Sequence, residues 1–371
     1  MFPVIKHIND LLPFIEGNPQ FRVQEQPNGT TVVCYMLQDE DTFRGEHDAF
    51  YKECRGITFR ADGTVASRTL HKFQNVGEND QTQPDQIPWN RIARIMDKRD
   101  GSMITFLEIN GQIMGKTKKT FTSNEAKAAT EFLHEDLRKV EWVRDCLRQG
   151  FTPTFEWTSP RFPIVLTYEK DELTLLQLRH NESGMYPMFT MTNPNFASEV
   201  PFPIVENLRD QFKDARDLLE LAKTAEGIEG WIIQDDNGQM WKIKTKWYCD
   251  LHHAVTFTRW RDVARLVAED KADDLKAAFA MTGRSIEPIL TVERHMAQKI
   301  ELTRALVEEY VGLGKGFERS AKDMAMMHKE HEHFGLIMRA FRGSEINWSE
   351  WYMKNHVDSW SLEVIPVALP E

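Results

Sequence analysis

Four Asx-Gly pairs, Asn28-Gly29, Asp62-Gly63, Asn110-Gly111 and Asn237-Gly238, each lie between two apolar stretches. Such a pair favours the positive φ angles of tight hairpins, so its recurrence commits the first 250 residues to antiparallel β-structure. Flanking segments have strand composition, as in Thr31-Val32-Val33-Cys34-Tyr35 and Met103-Ile104-Thr105-Phe106-Leu107. Helical stretches are predicted around 124–148 and 206–224. Beyond about residue 255 the spacing becomes helical. Met296, Ile300, Thr303, Val307 and Tyr310 recur at three- and four-residue intervals, as a core-facing stripe does. Gly312, Gly314 and Gly316 are expected to end that helix. Ser320, with Asp323 three positions on, is expected to cap the next one. The expected fold is α+β: an antiparallel-sheet domain over 1–250, followed by an all-α domain over 251–371.

With 371 residues the chain can bury two cores. Charged residues at 28% and hydrophobic ones at 41% exclude a disordered composition. No apolar run reaches membrane-spanning length, and the N-terminus has no long apolar segment of the secretory kind. Cys34, Cys54, Cys146 and Cys249 show no C-x-x-C spacing, which points to reduced thiols in a cytoplasm. The net charge of −11 does not exclude a polyanionic partner, because phosphate binding depends on local patches. Residues 91–119 hold Arg91, Arg94, Lys98, Arg99, Lys116, Lys118 and Lys119 against Asp97, Asp100 and Glu108; a second strip is Lys242, Lys244 and Lys246. Concentrated cations on an acidic protein suit transient binding followed by release.

Lys98-Arg99-Asp100-Gly101-Ser102 lies between two strand-like segments. Alone, a lysine beside an Asp-Gly turn reads as a solvated turn. A nucleophilic lysine must be partly neutral, and nearby cations or desolvation lower its pKa. Lys242 and Lys244 alternate about Ile243 and so share one face of a strand. The Asn237-Gly238 turn brings Glu229 beside them. That carboxylate could be a cross-strand salt bridge, or a metal-binding acid beside phosphate-gripping cations.

In this order, Lys98-x-Asp100-Gly101, Phe155-Glu156, Glu229-Gly230 and Lys242-x-Lys244 resemble motifs I, III, IV and V of the covalent nucleotidyltransferases, which include DNA ligases, RNA ligases and mRNA capping enzymes. Further stretches resemble the tRNA-repairing RNA ligases of T-even bacteriophages: Glu53-Cys54-Arg55-Gly56-Ile57-Thr58-Phe59, His71-Lys72-Phe73-Gln74-Asn75, Lys242-Ile243-Lys244-Thr245-Lys246-Trp247-Tyr248, Ala272-Asp273-Asp274-Leu275-Lys276 and Phe334-Gly335-Leu336-Ile337-Met338.

The resemblance implies a nucleotidyltransferase (ATP-grasp-like ligase) fold for the first domain and an ATP-dependent RNA ligase activity. Lys98 would carry AMP. Asp100, Lys118 and Tyr248 join it among the implied catalytic residues. Tyr35, Arg55, Lys72, Glu156, Lys242 and Lys244 would bind ATP, and Glu229, Asp273 and Asp274 would place Mg²⁺. Lys116 pairs with Lys118 in the same resemblance. The implied substrate is RNA, a nicked tRNA, and the implied enzyme is a monomer in the cytoplasm of a phage-infected bacterial cell with no membrane contact. Phe162-Pro163 departs from the family, which has an amide and a cation there. A DNA ligase or capping enzyme would append a β-barrel after motif V, where this chain turns helical. A non-catalytic RNA-binding relative would be expected to lose Lys98, Lys242 or Lys244.

Three other signals read as structure. Gly312-Leu313-Gly314-Lys315-Gly316 lacks a preceding strand and the ending of a phosphate loop. His328, His331 and His333 are expected in one helix, with only the first two sharing a face. Trp348 and Trp351 have core spacing.

Overall fold

A computed structural model describes residues 2–36, 42–162, 164–187, 200–249, 259–281 and 285–361. The chain divides into two units, Met1–His252 and His253–Glu371. The first is α+β with antiparallel sheets and the second is helical among its described residues.

The first unit opens with a short helix α1 (Leu12–Ile15) and the strands β1 (Phe21–Glu25) and β2 (Thr31–Tyr35). Helix α2 (Asp48–Glu53) leads directly into β3 (Arg55–Phe59), followed by β4 (Val65–Ser67). Next come β5 (Ile92–Asp97), β6 (Ser102–Ile109), β7 (Gln112–Lys116), helices α3 (Asn124–His134) and α4 (Leu137–Arg148), β8 (Phe151–Thr158) and β9 (Glu172–His180). Helix α5 (Leu218–Thr224) precedes β10 (Gly230–Asp235) and β11 (Met240–Lys244). These strands form three antiparallel sheets, ordered β1-β2-β3-β4, β11-β10-β5 and β7-β6-β8-β9. Each of the four Asx-Gly pairs joins two neighbouring strands. At Asn110-Gly111 both residues are left-handed (φ 52° and 78°), the requirement of a two-residue type I′ loop.

Each sheet has its own core. Ile104, Phe106, Phe155 and Trp157 pack under Ala129, Leu133, Val143 and Cys146 of α3 and α4. Ser123 and Asp136 cap those helices by accepting from the N–H groups of Ala126 and Arg138. Ile95, Ile233 and Ile243 pack against Leu218 and Ala222 of α5, and Val33, Ile57 and Phe59 against Ile5 and Leu11. Only Leu218–Thr224 of the segment predicted helical at 206–224 forms an α-helix. Upstream, Arg209 donates to the carbonyls of Ile92 and Phe212, and Asp214 accepts from the Arg216 N–H, so short 3₁₀ turns replace the helix.

The helical unit comprises α6 (Trp260–Ala268), α7 (Ala272–Met281), α8 (Glu287–Gly316), α9 (Ala321–His328), α10 (Phe334–Phe341) and α11 (Trp348–His356). The predicted stripe is its spine: Met296, Ile300, Thr303 and Val307 are buried and Tyr310 is partly so. One expectation holds only at its edge and another fails. Helix α8 passes through Gly312 and Gly314 and ends on Gly316. Its end is a Schellman motif in which left-handed Glu318 (φ 51°) donates to the Lys315 carbonyl and Arg319 to that of Gly314. Gly314 serves packing instead, since a β-carbon there would lie 2.5 Å from Met324 Sδ. The three histidines do not share a helix either. His328 ends α9, His331 lies in the turn, and the His333 N–H donates to His331 Nδ1 just before α10. The capping box at Ser320 and Asp323 forms as expected; Trp348 belongs to the core and Trp351 packs against it half-buried. Among the described residues no helix is long and apolar enough to cross a membrane.

Candidate active site

Lys98 follows β5, which pairs with β10 along Trp231↔Asp97, and its backbone N–H donates to the Gly230 carbonyl (2.9 Å). On the other side of β10, β11 pairs Gly230↔Lys244 and Ile232↔Lys242. Lys98 and Lys244 therefore flank the start of β10, where Glu229 stands. Glu229 Oε1 accepts from Lys98 Nζ at 2.7 Å and from Lys244 Nζ at 3.0 Å. Glu229 and Lys244 are buried, while a fifth of the Lys98 side chain remains exposed. The second oxygen, Oε2, is buried with no hydrogen-bond partner among the described residues.

Gly230 makes this placement achievable. Its φ of 147° is open to glycine, and a β-carbon would meet the Ile243 carbonyl oxygen at 2.0 Å. Gly56 has a parallel role, at φ 98° with the Lys118 carbonyl oxygen 2.2 Å from where its β-carbon would be. It lets the end of β7 lie against the start of β3.

Asp100 is buried and spends its carboxylate on the scaffold. Oδ2 accepts from the backbone N–H groups of Val165 (2.9 Å) and Leu166 (2.7 Å), and Oδ1 from the Tyr248 hydroxyl (2.9 Å). The Asp100 N–H donates to the Tyr168 hydroxyl. Tyr248 is fully buried, and its ring lies 5.0 Å from Lys244 Nζ. Both residues thus orient the lysine loop and Lys244. Tyr168 has no partner residue or motif around it in the sequence that would single it out.

Glu156 lies on β8, opposite Met103 in register. Burial pushes its carboxyl up to about 8; Lys98 opposes that shift, while Glu229 and Asp100 add to it, and Arg55 opposes it weakly. Glu156 thus lies within electrostatic reach of Lys98, Glu229, Asp100 and Arg55.

The remaining cations gather around Tyr35. Lys118 Nζ lies 4.3 Å from the Tyr35 ring centroid and bonds its hydroxyl at 3.3 Å; Lys72 Nζ lies 5.6 Å from the same ring. Tyr35 itself is buried, so it holds these ammonium groups more directly than it could hold a base. Arg55 donates to the His71 carbonyl (3.2 Å) and rests 5.0 Å from Phe73. The stretch carrying Lys72 is then pinned to β11, where Lys242 N–H donates to the Gln74 carbonyl and Val76 N–H to that of Lys242. Lys116 is fully buried, donates to the Thr117 carbonyl (3.1 Å), and is lowered to about 8 by that burial.

Beneath Arg55 lies a buried charge network that the sequence does not reveal. Glu53 accepts from Arg68 (2.9 Å) and Arg179 (2.7 Å), each fully buried. Burial works against the Glu53 carboxylate, but the two guanidinium groups prevail and hold it at about 2. Arg179 also donates to the Thr69 carbonyl, fixing the start of the Lys72 stretch. Its members are 15 and 126 residues apart, so only the Glu53-Cys54-Arg55-Gly56 signature marks it.

Asp273 and Asp274 open α7 in the helical unit; the Asp274 side chain lies outside the described residues, as does Pro163. Lys276, in the same matching stretch, is buried against Glu293 (2.7 Å). Among the described residues no three His, Cys, Asp or Glu side chains form a metal-ligand group.

A buried carboxylate between two lysines, with a neutral acid in electrostatic reach of it and of Arg55, is suited to phosphoryl chemistry. A family model described as RNA ligase matches residues 53–248, which contain every first-unit site residue named above except Tyr35. The chain belongs to the RNA ligase family. Among its relatives is a Thermovibrio ammonificans protein named as an RNA ligase, 29% identical over 272 residues, spanning 71% of this chain and 69% of that one. RNA ligase 1 of bacteriophage TS2126 is 24% identical over 331 residues, spanning 84% and 77%. Solved structures that resemble it include an archaeal ATP-dependent RNA ligase, with 12% identity and a TM-score of 0.44 over 76% of this chain and 77% of that one.

Proposed function

We propose that this RNA ligase uses ATP, carries AMP on Lys98, and joins RNA 5′-phosphate and 3′-hydroxyl ends in cleaved tRNA. The observation that carries the reading is Glu229 Oε1 shared by Lys98 and Lys244, with Lys98 the more exposed of the two. In the first step the deprotonated Lys98 amine attacks the α-phosphorus of ATP and pyrophosphate leaves. Lys242 and Lys244 offset charge that builds on the phosphate oxygens. Arg55, Lys72 and Lys118 supply the cationic wall for the remaining phosphates, and Glu156, as a neutral acid, offers a donor to the nucleoside. AMP then passes to an RNA 5′-phosphate, and a 3′-hydroxyl displaces it.

Mg²⁺ suits the unpartnered Glu229 Oε2, since this ion keeps several waters and needs few protein oxygens. Bound there, it would supply charge neutralisation at the phosphates. The preference for tRNA rests on the resemblance to phage ligases alone. Incubation with α-labelled ATP or GTP and Mg²⁺ tests the reading. Covalent label from ATP, absent in a folded Lys98→Ala variant, is the expected result. Label from GTP would indicate a capping enzyme, and no label a non-catalytic RNA binder.

A further inference from the structure

The helical unit carries a band of rings that its core leaves half-buried. His295 projects from α8, Trp351 and His356 from α11; Trp360 lies just beyond α11, and Trp260 begins α6. Trp260 and Trp360 stack at 5.7 Å and 14°. His295 lies 5.0 Å from Trp360 and 6.2 Å from His356, which lies 4.9 Å from Trp351. Beneath them, fully buried Tyr352 fixes the arrangement: its hydroxyl accepts from Trp360 Nε1–H (3.0 Å) and bonds His295 Nδ1 (2.7 Å). His356 Nε2 has no hydrogen-bond partner among the described residues.

Burial, then Lys299, holds both imidazoles below their usual range, and His295 and His333 add to the effect at His356. Charges of both signs rim the band: exposed Glu332 sits 3.5 Å from His333, and exposed Asp358 pairs at 3.7 Å with Arg261, whose Nε also donates to the Trp360 carbonyl. Flat ring faces with Lys299 and Arg261 close by suit a ligand that presents flat faces of its own joined by anionic groups.

We propose that this band stacks unpaired nucleobases of the RNA substrate. The choice of RNA rests on the ligase reading; the stacking rests on the rings. Aromatic platforms beside cations hold single-stranded or looped RNA in this way, whatever the base.

The test measures affinity of the full chain for a single-stranded RNA and for an abasic strand of equal length, without ATP, so that it is judged independently of AMP transfer. Trp360→Ala should weaken binding of the RNA roughly 5- to 100-fold, the effect of one lost stacking contact, and leave the abasic strand unaffected. Trp360→Phe, which restores a ring but not the hydrogen bond to Tyr352, should recover most of that loss. Unchanged affinity in a Trp360→Ala variant that melts like the parent would overturn the proposal. So would equal weakening by both variants, or equal weakening toward the abasic strand. A parent dimer that Trp360→Ala dissociates without altering RNA affinity would assign the band to self-association and overturn it as well.

Discussion

At Glu229 one carboxylate oxygen serves two ammonium groups while the other is buried and unpartnered. The proximity of Glu229 to Lys244 was legible from the Asn237-Gly238 hairpin, because register follows from a turn and an alternation. Its chemical meaning was not, because a cross-strand ion pair and a metal-placing acid differ only in burial, which distant residues decide. Glu156 makes the same point: as a strand residue it looks unremarkable, and only burial and nearby carboxylates raise it to about 8. The sign of the consequence is definite. With a folded pKa above the ordinary 4.5, Glu156 binds a proton more tightly in the folded state, so its contribution is fully present below about pH 4.5 and is lost as pH rises toward 8. Glu156→Gln, a neutral mimic, should therefore remove part of the fall in stability between pH 5 and 8 in nucleotide-free protein. Melting temperatures across that range check it, and parallel parent and variant curves would refute it.

Elements set by local rules were the most readable. Hairpins at all four Asx-Gly pairs and the Ser320 cap need only neighbours in sequence. Of the glycines at 312–316, Gly314 does not stop its helix because a neighbouring helix must come close there, and Met324 is that neighbour; the helix ends only at Gly316. The network of Glu53, Arg68 and Arg179 was invisible because buried charge depends on partners far along the chain. Gly230 joins both kinds of information, being part of a motif and also a contact with Ile243. Gly230→Ala should destabilise the protein by on the order of 1–3 kcal/mol through backbone strain. It should also reduce AMP transfer far more than stability, because Glu229 moves while Lys98 keeps its own chemistry. Urea unfolding with AMP labelling of the folded variant separates the two effects. Labelling at the parental rate would show that this glycine does not govern Glu229.

Among the described residues, each core cluster draws its buried residues from one unit. Those of the first unit run from Ile5 to Ile243, and that of the helical unit from Val263 to Val357. The residues proposed for AMP transfer all precede residue 250, whereas the ring band lies in the helical unit. We therefore expect the nucleotide chemistry to reside in the first unit and RNA selection in the second, because structured RNA is read through shape and splayed loops that a helical surface can engage. A chain ending at about residue 250 should then still transfer AMP to Lys98 and seal simple single strands, but lose its preference for nicked tRNA over an unstructured strand of equal length. Removing the helical unit can expose apolar surface, so circular dichroism and size-exclusion chromatography must first show a folded, unaggregated chain. A folded truncation that keeps the tRNA preference would place selection in the first unit. One that folds but loses AMP transfer would show that residues beyond 250 complete the catalytic centre, and would make Asp273 and Asp274 the first side chains to replace.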